Sequence, residues 1–315
     1  MEQQMLREYN IEVREIKLLR HNENMTYHVL ATEGEYVLRI HKSVETMNLS
    51  MLLGDSKPVE LIEEEMNLLD ILCQNSMGTQ RPVKNRQGQF VTKIGDTCAT
   101  LLEWVSGTCI EKQNLKEETA FQIGSMVAKM HQCFVEYKGV KRYSYGTDLV
   151  ERMQYVYDTV LLSGETDKDL LKIIGQMLDK IMEVLEQSGA EMVLVHNDLG
   201  ESNLLLQENS VVPIDFSMSG KGIREMDLAS LFIHFEAVNL KEAILKGYES
   251  VAGNILQKER IDVCVGYQLL IFIFSQYQAI CNQGWFGEAL HYWCEEVFAK
   301  ILEGEKIADE IGLYA

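Results

Sequence analysis

The chain has 315 residues, with 29 Lys and Arg against 48 Asp and Glu, a formal net charge of −19. Apolar residues make up 46% and charged residues 24%, which excludes wholesale disorder and leaves length enough for two compact units or one large domain. The acid excess argues against nucleic acid or an anionic membrane as partner, since both attract basic patches; it suits solubility, or a cationic small ligand.

In chain order, residues 1–107 read as strand-rich. Glu12–Leu19, Thr26–Ala31 and Tyr36–Ile40 are short runs with β-branched or aromatic content, the last two joined by a turn at Glu33-Gly34-Glu35. Pro58 opens a helix-like segment, Val59–Cys73, whose Leu61, Leu68, Leu69 and Leu72 recur at helical spacing. Gln89–Ile94 and Thr97–Trp104 form a second strand pair across Gly95-Asp96. The pattern is β-β-β-α-β-β, five strands and one helix. After Val105-Ser106-Gly107 the texture turns helical over 116–138, 147–189 and most of 222–312, with an exception at 193–216, where short apolar runs flank loops. The charge divides unevenly: 11 Lys+Arg against 16 Asp+Glu in residues 1–107, and 18 against 32 in 108–315.

Seven cysteines, an odd number without C-x-x-C spacing, argue against a disulfide framework or a zinc cluster and suit a reducing compartment. Met1–Met5 has neither the basic nor the apolar region of a signal peptide. The greasiest run, Leu269–Phe274 between Gln268 and Ser275, is too short to span a bilayer and reads as a buried helix segment. The location expected is cytoplasmic.

The informative stretch begins at Val195. His196, Asp198 and Asn203 form H-x-D-x-x-x-x-N, and Asp215 stands twelve residues after Asn203, at the end of the strand-like run Val211–Ile214. Phosphoryl transfer needs this combination: one carboxylate orients the acceptor hydroxyl and takes its proton, while an amide oxygen and a second carboxylate hold Mg²⁺ on the nucleotide phosphates. A plain polar loop with a core histidine would also satisfy the first triplet; the added Ile214-Asp215-Phe216 argues against it.

On these residues the sequence resembles the aminoglycoside phosphotransferase and choline kinase group of small-molecule kinases, from about residue 11 to beyond 230. The resemblance implies an α+β, protein-kinase-like fold of two lobes: a nucleotide-binding lobe of antiparallel strands (1–102), a hinge (103–107) and a helical lobe (108–315) that carries the catalytic loop and the acceptor site. It implies Asp198 as catalytic base, Asn203 and Asp215 as Mg²⁺ ligands, and His196 as a packing residue bracing the loop. Asp227 is implied as a structural acid accepting N–H bonds from that loop, with an N-cap of the next helix as the alternative. Arg39 in Tyr36–Ile40 stands where such enzymes place the lysine that grips the α/β-phosphates; a guanidinium can fork two phosphate oxygens. Its partner is assigned to Glu65, with Glu63 and Glu64 adjacent. The nucleotide-loop position, His21–Tyr27, contains no glycine, so Asn24 or Thr26 stands in as the contact. The hinge Thr100–Gly107 puts the carbonyl of Glu103 and the N–H of Val105 on the adenine edge, with Leu102 beside them; ATP is favoured and GTP left open. The Gly124-x-x-Val127-Ala128-x-Met130-His131 helix matches the family pattern, with His131 structural.

The implied partner is a small alcohol such as an aminoglycoside, choline, an amino sugar or homoserine. Glu201, Glu225, Glu236 and Glu288 are the acidic candidates to face a cation. The eleven residues between Asp215 and Asp227 leave no room for a protein-substrate activation segment. The alternative is a non-catalytic nucleotide-binding scaffold of the same fold, favoured only by Arg39 and the glycine-free loop. Oligomeric state is not readable.

Overall fold

The computed structural model describes the chain except residues 22–23, 42–48, 55–56, 140–141, 162–166, 188–190, 209, 236, 254–255 and 308–315, and the side chains of 49, 50 and 160. Asn22 and Glu23 of the nucleotide loop and the acidic candidate Glu236 lie outside the described residues.

The first lobe is an antiparallel sheet of six strands, β1 (Val13–His21), β2 (Asn24–Ala31), β3 (Glu35–His41), β4 (Pro82–Val83), β5 (Val91–Ile94) and β6 (Thr97–Glu103). Their order is β1-β2-β3-β6-β4, with β5 also paired to β6. The sixth strand, β4, corrects the expected count of five. It has two residues and begins on a proline, too short for any alternation to show and placed at an edge, where proline is tolerated. Burial along β2 alternates, with Tyr27, Val29 and Ala31 inside, so the sheet has two distinct faces.

One face carries Tyr27, Val29, Leu38, Ile40, Ala99 and Leu101, covered by Met5, Leu6 and Tyr9. Met5 and Leu6 lie on α1 (Glu2–Leu6), a helix the sequence reading lacked, as it lacked α2 (Leu49–Leu53). Five residues are too few for a helical period to register. The opposite, inner face meets α3 (Pro58–Gln74), which starts on its proline and buries Leu61, Glu65, Met66, Leu68, Leu69 and Leu72.

Beyond β6, residues 104–107 run without regular structure into the second lobe. Its helices are α4 (Glu117–Phe134), α5 (Thr147–Val156), α6 (Lys168–Glu186), α7 (Glu225–His234), α8 (Val238–Ala252), α9 (Lys258–Ile280), α10 (Phe286–Tyr292) and α11 (Ala299–Glu303). Between them lie short strands: β7 (Thr108–Cys109), β8 (Tyr143–Ser144), β9 (Val193–Val195), β10 (Leu204–Gln207), β11 (Ser210–Pro213) and β12 (Gly220–Gly222), in two three-stranded sheets, β11-β10-β7 and β8-β12-β9. The β10–β11 hairpin holds Asn203 and Asp215 at its two ends, since Leu204 pairs with Pro213. Val37 and Leu102 of the first lobe belong to the same apolar cluster as the helical lobe, so one core runs through both.

The apolar run at Leu269–Phe274 sits inside a 23-residue helix, α9, longer than the run alone indicated. It is the one helix among the described residues long and apolar enough to cross a membrane, yet 67% of that window is buried within the protein, as for a core helix.

Helices α4 and α8 meet backbone to backbone. A Cβ on Gly124 would overlap the Ile244 carbonyl, one on Gly247 the Phe121 carbonyl, and Ser125 Oγ donates to the Gly247 carbonyl at 3.1 Å. We expect Gly124→Ala to lower stability by ~2 kcal/mol or more, because rigid backbone rather than a yielding side chain must move. The midpoint of denaturant unfolding reads the effect.

Candidate active site

Arg39 lies at the centre of β3 on the inner face of the sheet, 7% exposed. A buried guanidinium needs charged partners, and it has two: Nη1 is 3.1 Å from Glu65 Oε1 and 3.2 Å from Asp215 Oδ1, while Nη2 donates to Gln80 Oε1 at 3.4 Å. Of the three consecutive glutamates, Glu65 alone turns inward. Glu63 pairs with Lys93 at the surface, and Glu64 accepts a hydrogen bond from the Tyr137 hydroxyl.

Asp215 follows β11 in the left-handed conformation, φ 63 and ψ 70, which turns its carboxylate back toward the sheet. Burial pushes that carboxyl up, but the Arg39 guanidinium and the Ser217 hydroxyl and N–H outweigh it and hold the group below the usual carboxylate range. The segment after Asp215 is pinned by Arg142, whose guanidinium donates to the carbonyls of Phe216, Ser217 and Ser219 and, across to α3, of Leu61. Thr79 Oγ1 donates to the Pro213 carbonyl at 2.8 Å, tying β11 to the first lobe.

The loop after β9 is organised by Asp227, fully buried in the first turn of α7. Its Oδ1 accepts the Asn197 N–H at 2.7 Å; its Oδ2 accepts the His196 N–H at 3.0 Å and His131 Nε2 at 2.8 Å. Helix α7 already starts at Glu225, so Asp227 does not cap a helix beginning at Leu228. Burial raises its carboxyl, and the hydrogen bonds from His131 and the loop bring it below the ordinary value. His196 packs against Phe216, ring centroids 4.5 Å apart, and its Nε2 donates to the Ile214 carbonyl. Asn197 is left-handed, φ 62, and its Oδ1 accepts from Gln268 Nε2 of α9 at 2.5 Å. Farther along this loop the Asn203 amide donates to Asp198 twice, to the carbonyl at 2.9 Å and to Oδ2 at 2.8 Å.

A cavity of about 430 Å³ gathers these groups. Asp198, Asn203, Asp215, Arg39, Asn24 and Thr26 line it, together with Arg20 of β1. Glu65 stands behind Arg39 rather than on the wall. Leu102, Glu103 and Val105 do not line it: Leu102 is fully buried opposite Val37, and the Glu103 N–H donates to the Arg81 carbonyl. The far wall is a stripe of α9, Gln268, Ile271, Phe272, Ser275 and Gln276. The sequence reading used Gln268 and Ser275 only to bound an apolar run. Their i, i+3, i+4, i+7, i+8 spacing is the signal that would have placed them on one helix face. Arg142 left no such signal, since its partners lie 74 to 81 residues away.

The acidic candidates stand elsewhere. Glu201 pairs with Lys112 at 3.3 Å and His234 at 2.9 Å, Glu225 is buried and Glu288 is exposed. Among the described lining residues, Asp198 and Asp215 are the carboxylates and Arg20 and Arg39 the cations. Asn203 and Asp215 offer hard oxygen donors of the kind Mg²⁺ takes when phosphates and water complete its shell; donating its amide to Asp198 leaves the Asn203 carbonyl oxygen for such a role. The absence, among the described residues, of any cluster of three or more His, Cys, Asp or Glu fits a site of that kind, not a self-sufficient metal cage.

Residues 15–258 match the model of the phosphotransferase enzyme family (APH), and the chain belongs to that family. A hydroxylysine kinase of Xenopus laevis is 24% identical over 225 residues, 64% of this chain; the match spans 56% of that protein, little more than half its length. Among solved structures, an amicoumacin kinase in complex with AMP-PNP and Ca²⁺ superposes with a TM-score of 0.73 at 18% identity, covering 98% of this chain and 94% of that one. A microcompartment-associated aminopropanol kinase gives 0.65 at 20% identity, covering 96% and 92%. A choline kinase from Streptococcus pneumoniae gives 0.63 at 15%, covering 92% and 94%. These likenesses establish the two-lobe, protein-kinase-like fold expected from the sequence.

His41, two residues beyond Arg39, shares a hydrogen bond with Thr100 Oγ1 at 3.1 Å. Burial and the Arg39 charge push its imidazole down from 6.5 to about 4. The folded chain therefore keeps His41 neutral where the unfolded chain takes up a proton, so stability is full above pH 6.5 and falls as the pH drops toward 4. We expect a lower urea midpoint at pH 5 than at pH 7, and a smaller difference between the two in His41→Asn.

Proposed function

We propose that this protein is a small-molecule kinase that transfers the γ-phosphoryl group of ATP to a hydroxyl of a small acceptor. The observation that carries the reading is that Asp198, Asn203, Asp215 and Arg39 line one cavity, with Asp198 held by the Asn203 amide. Bound Mg²⁺ and ATP supply the phosphoryl group and neutralise its developing charge, held by Asn203 and Asp215. Asp198 orients the acceptor hydroxyl and takes its proton as the hydroxyl attacks. Arg39 steadies the α/β-phosphates, kept in place from behind by Glu65. Asp227 and His196 fix the backbone that presents Asp198. The base is assigned to the end of β6, beyond the lining of this cavity, where the Glu103 carbonyl and the Val105 N–H are its partners and Leu102 lies beside them.

A protein substrate is not part of this reading. A short turn (Phe216–Met218), β12 and the start of α7 take up the residues between Asp215 and Asp227. The α9 wall offers amides, a hydroxyl and an aromatic ring to the acceptor, so hydrogen bonding to hydroxyl or amide groups, and not a cage of carboxylates, supports its recognition. Seven cysteines without a disulfide suit a reducing compartment, and a cytoplasmic location belongs to the same reading.

The test is phosphorylation with Mg²⁺ and ATP or GTP across hydroxylated amino acids, amino alcohols, amino sugars and aminoglycosides. We expect one class to be phosphorylated, chelation of the metal to abolish transfer, and Asp198→Asn to lower kcat ~10³-fold while leaving nucleotide affinity nearly unchanged. Nucleotide binding with no acceptor used in any class would favour the scaffold alternative.

A further inference from the structure

A glycine-rich loop holds phosphates with backbone N–H groups, and residues 21–27 have no glycine to do so. The hairpin carries a different device. Along β1–β2 the register runs Leu18 to Tyr27 and then Arg20 to Thr26, two steps on one strand against one on the other. Leu19 is therefore the extra residue of a β-bulge. Bulges re-aim the side chain that follows, and they recur beside active sites. Without this one, Leu19 would stand opposite Thr26 and Arg20 would point to the other face.

With it, Arg20 pairs with Thr26, Thr26 pairs with Arg39, and Arg39 pairs with Thr100. Residues directly opposite in an antiparallel sheet share a face. That row, Arg20, Thr26, Arg39, crosses the inner face with the two arginine backbone positions two strand spacings apart, about 10 Å. All three residues, and Asn24 beside them, line the cavity with Asp198 and Asp215. Nη1 of Arg39 is already shared between Glu65 and Asp215, whereas the Arg20 side chain is exposed and has no ion pair or hydrogen bond among the described residues.

We propose that Arg20 is a second phosphate-binding cation, set by the β1 bulge to grip the terminal phosphates of the nucleotide while Arg39 holds the inner ones, with Thr26 between them. This rests on the nucleotide reading above. Arg20 lies on the outer strand of the row and lines the same cavity as Asp198, whereas Arg39 stands back against Glu65 and Asp215, so the γ-phosphoryl end is the ligand assigned to Arg20. A guanidinium forked onto those oxygens replaces the N–H cradle a glycine loop would offer.

The test needs no knowledge of the acceptor. Binding of AMP-PNP, ADP and AMP is measured by calorimetry with Mg²⁺ for the wild type, Arg20→Ala and Arg20→Lys. Arg20 is exposed, so both variants should fold, which a thermal melt checks. The expected result is AMP-PNP affinity reduced about 10-fold or more in Arg20→Ala, ADP reduced less, AMP within about two-fold of wild type, and part of the loss recovered in Arg20→Lys. Unchanged AMP-PNP binding, or an equal loss for all three nucleotides, would overturn the assignment while leaving the kinase reading intact. A wild type that binds none of the three overturns both.

Discussion

A guanidinium taken out of water has to be met by carboxylates, and at Arg39 those carboxylates come from two directions. Glu65 arrives on α3 and Asp215 from the segment after β11, so one cation joins the sheet, the helix packed on it and the corner of the second lobe that carries Asp215. Such an ion trio adds little net stability, since desolvation offsets most of the attraction, but removing Arg39 leaves the buried Glu65 without its cation. Its effect is positional. It sets how far α3 stands from β3 and where Asp215 points, and the left-handed backbone at Asp215 is the local cost of that aim.

Asp227 plays the corresponding part for the catalytic loop. Three donors converge on one buried carboxylate, and two of them are consecutive backbone N–H groups, which fixes the turn that delivers Asp198. The loop is held from the other side by Gln268, which donates to Asn197 while its helix face forms the far wall of the cavity. Any ligand resting on that face therefore touches an element bonded directly to Asn197, the residue before Asp198. The shape of the acceptor wall and the orientation of Asp198 are set by the same contacts.

What the sequence revealed and what it hid follow from distance along the chain. His196, Asp198, Asn203 and Asp215 lie within twenty residues on a loop and a hairpin, so their spacing could be seen in the sequence and suggested phosphoryl transfer. The strands of the first lobe and α3 showed through their periods of two and 3.6. Two- and three-residue strands such as β4 and β12, and five-residue helices such as α1 and α2, have no period to display. Of Glu63, Glu64 and Glu65, Glu65 is the one that stands three, four and seven residues before Leu68, Leu69 and Leu72, and that shared helix face is the one that meets Arg39. Arg142 and Gln268 act across 71 to 81 residues, and Arg20 reaches its row only because Leu19 bulges.

The charge of −19 is the feature that misleads if read as a property of the site. Its largest share falls in the helical lobe, yet Glu201, Glu225 and Glu288 stand clear of the cavity, and the pocket sets two arginines against two carboxylates. At physiological ionic strength a surface carboxylate is screened within about 8 Å, so the distant acids barely reach a ligand inside the cleft. Charges that line the pocket act at contact distance and with less water between. An acidic protein can thus hold a polyanion such as a nucleotide triphosphate, provided cations stand in the pocket itself. A row of side chains that puts Arg20 and Arg39 on the same face of a three-strand ribbon meets that requirement, and the whole-chain balance has no say in it.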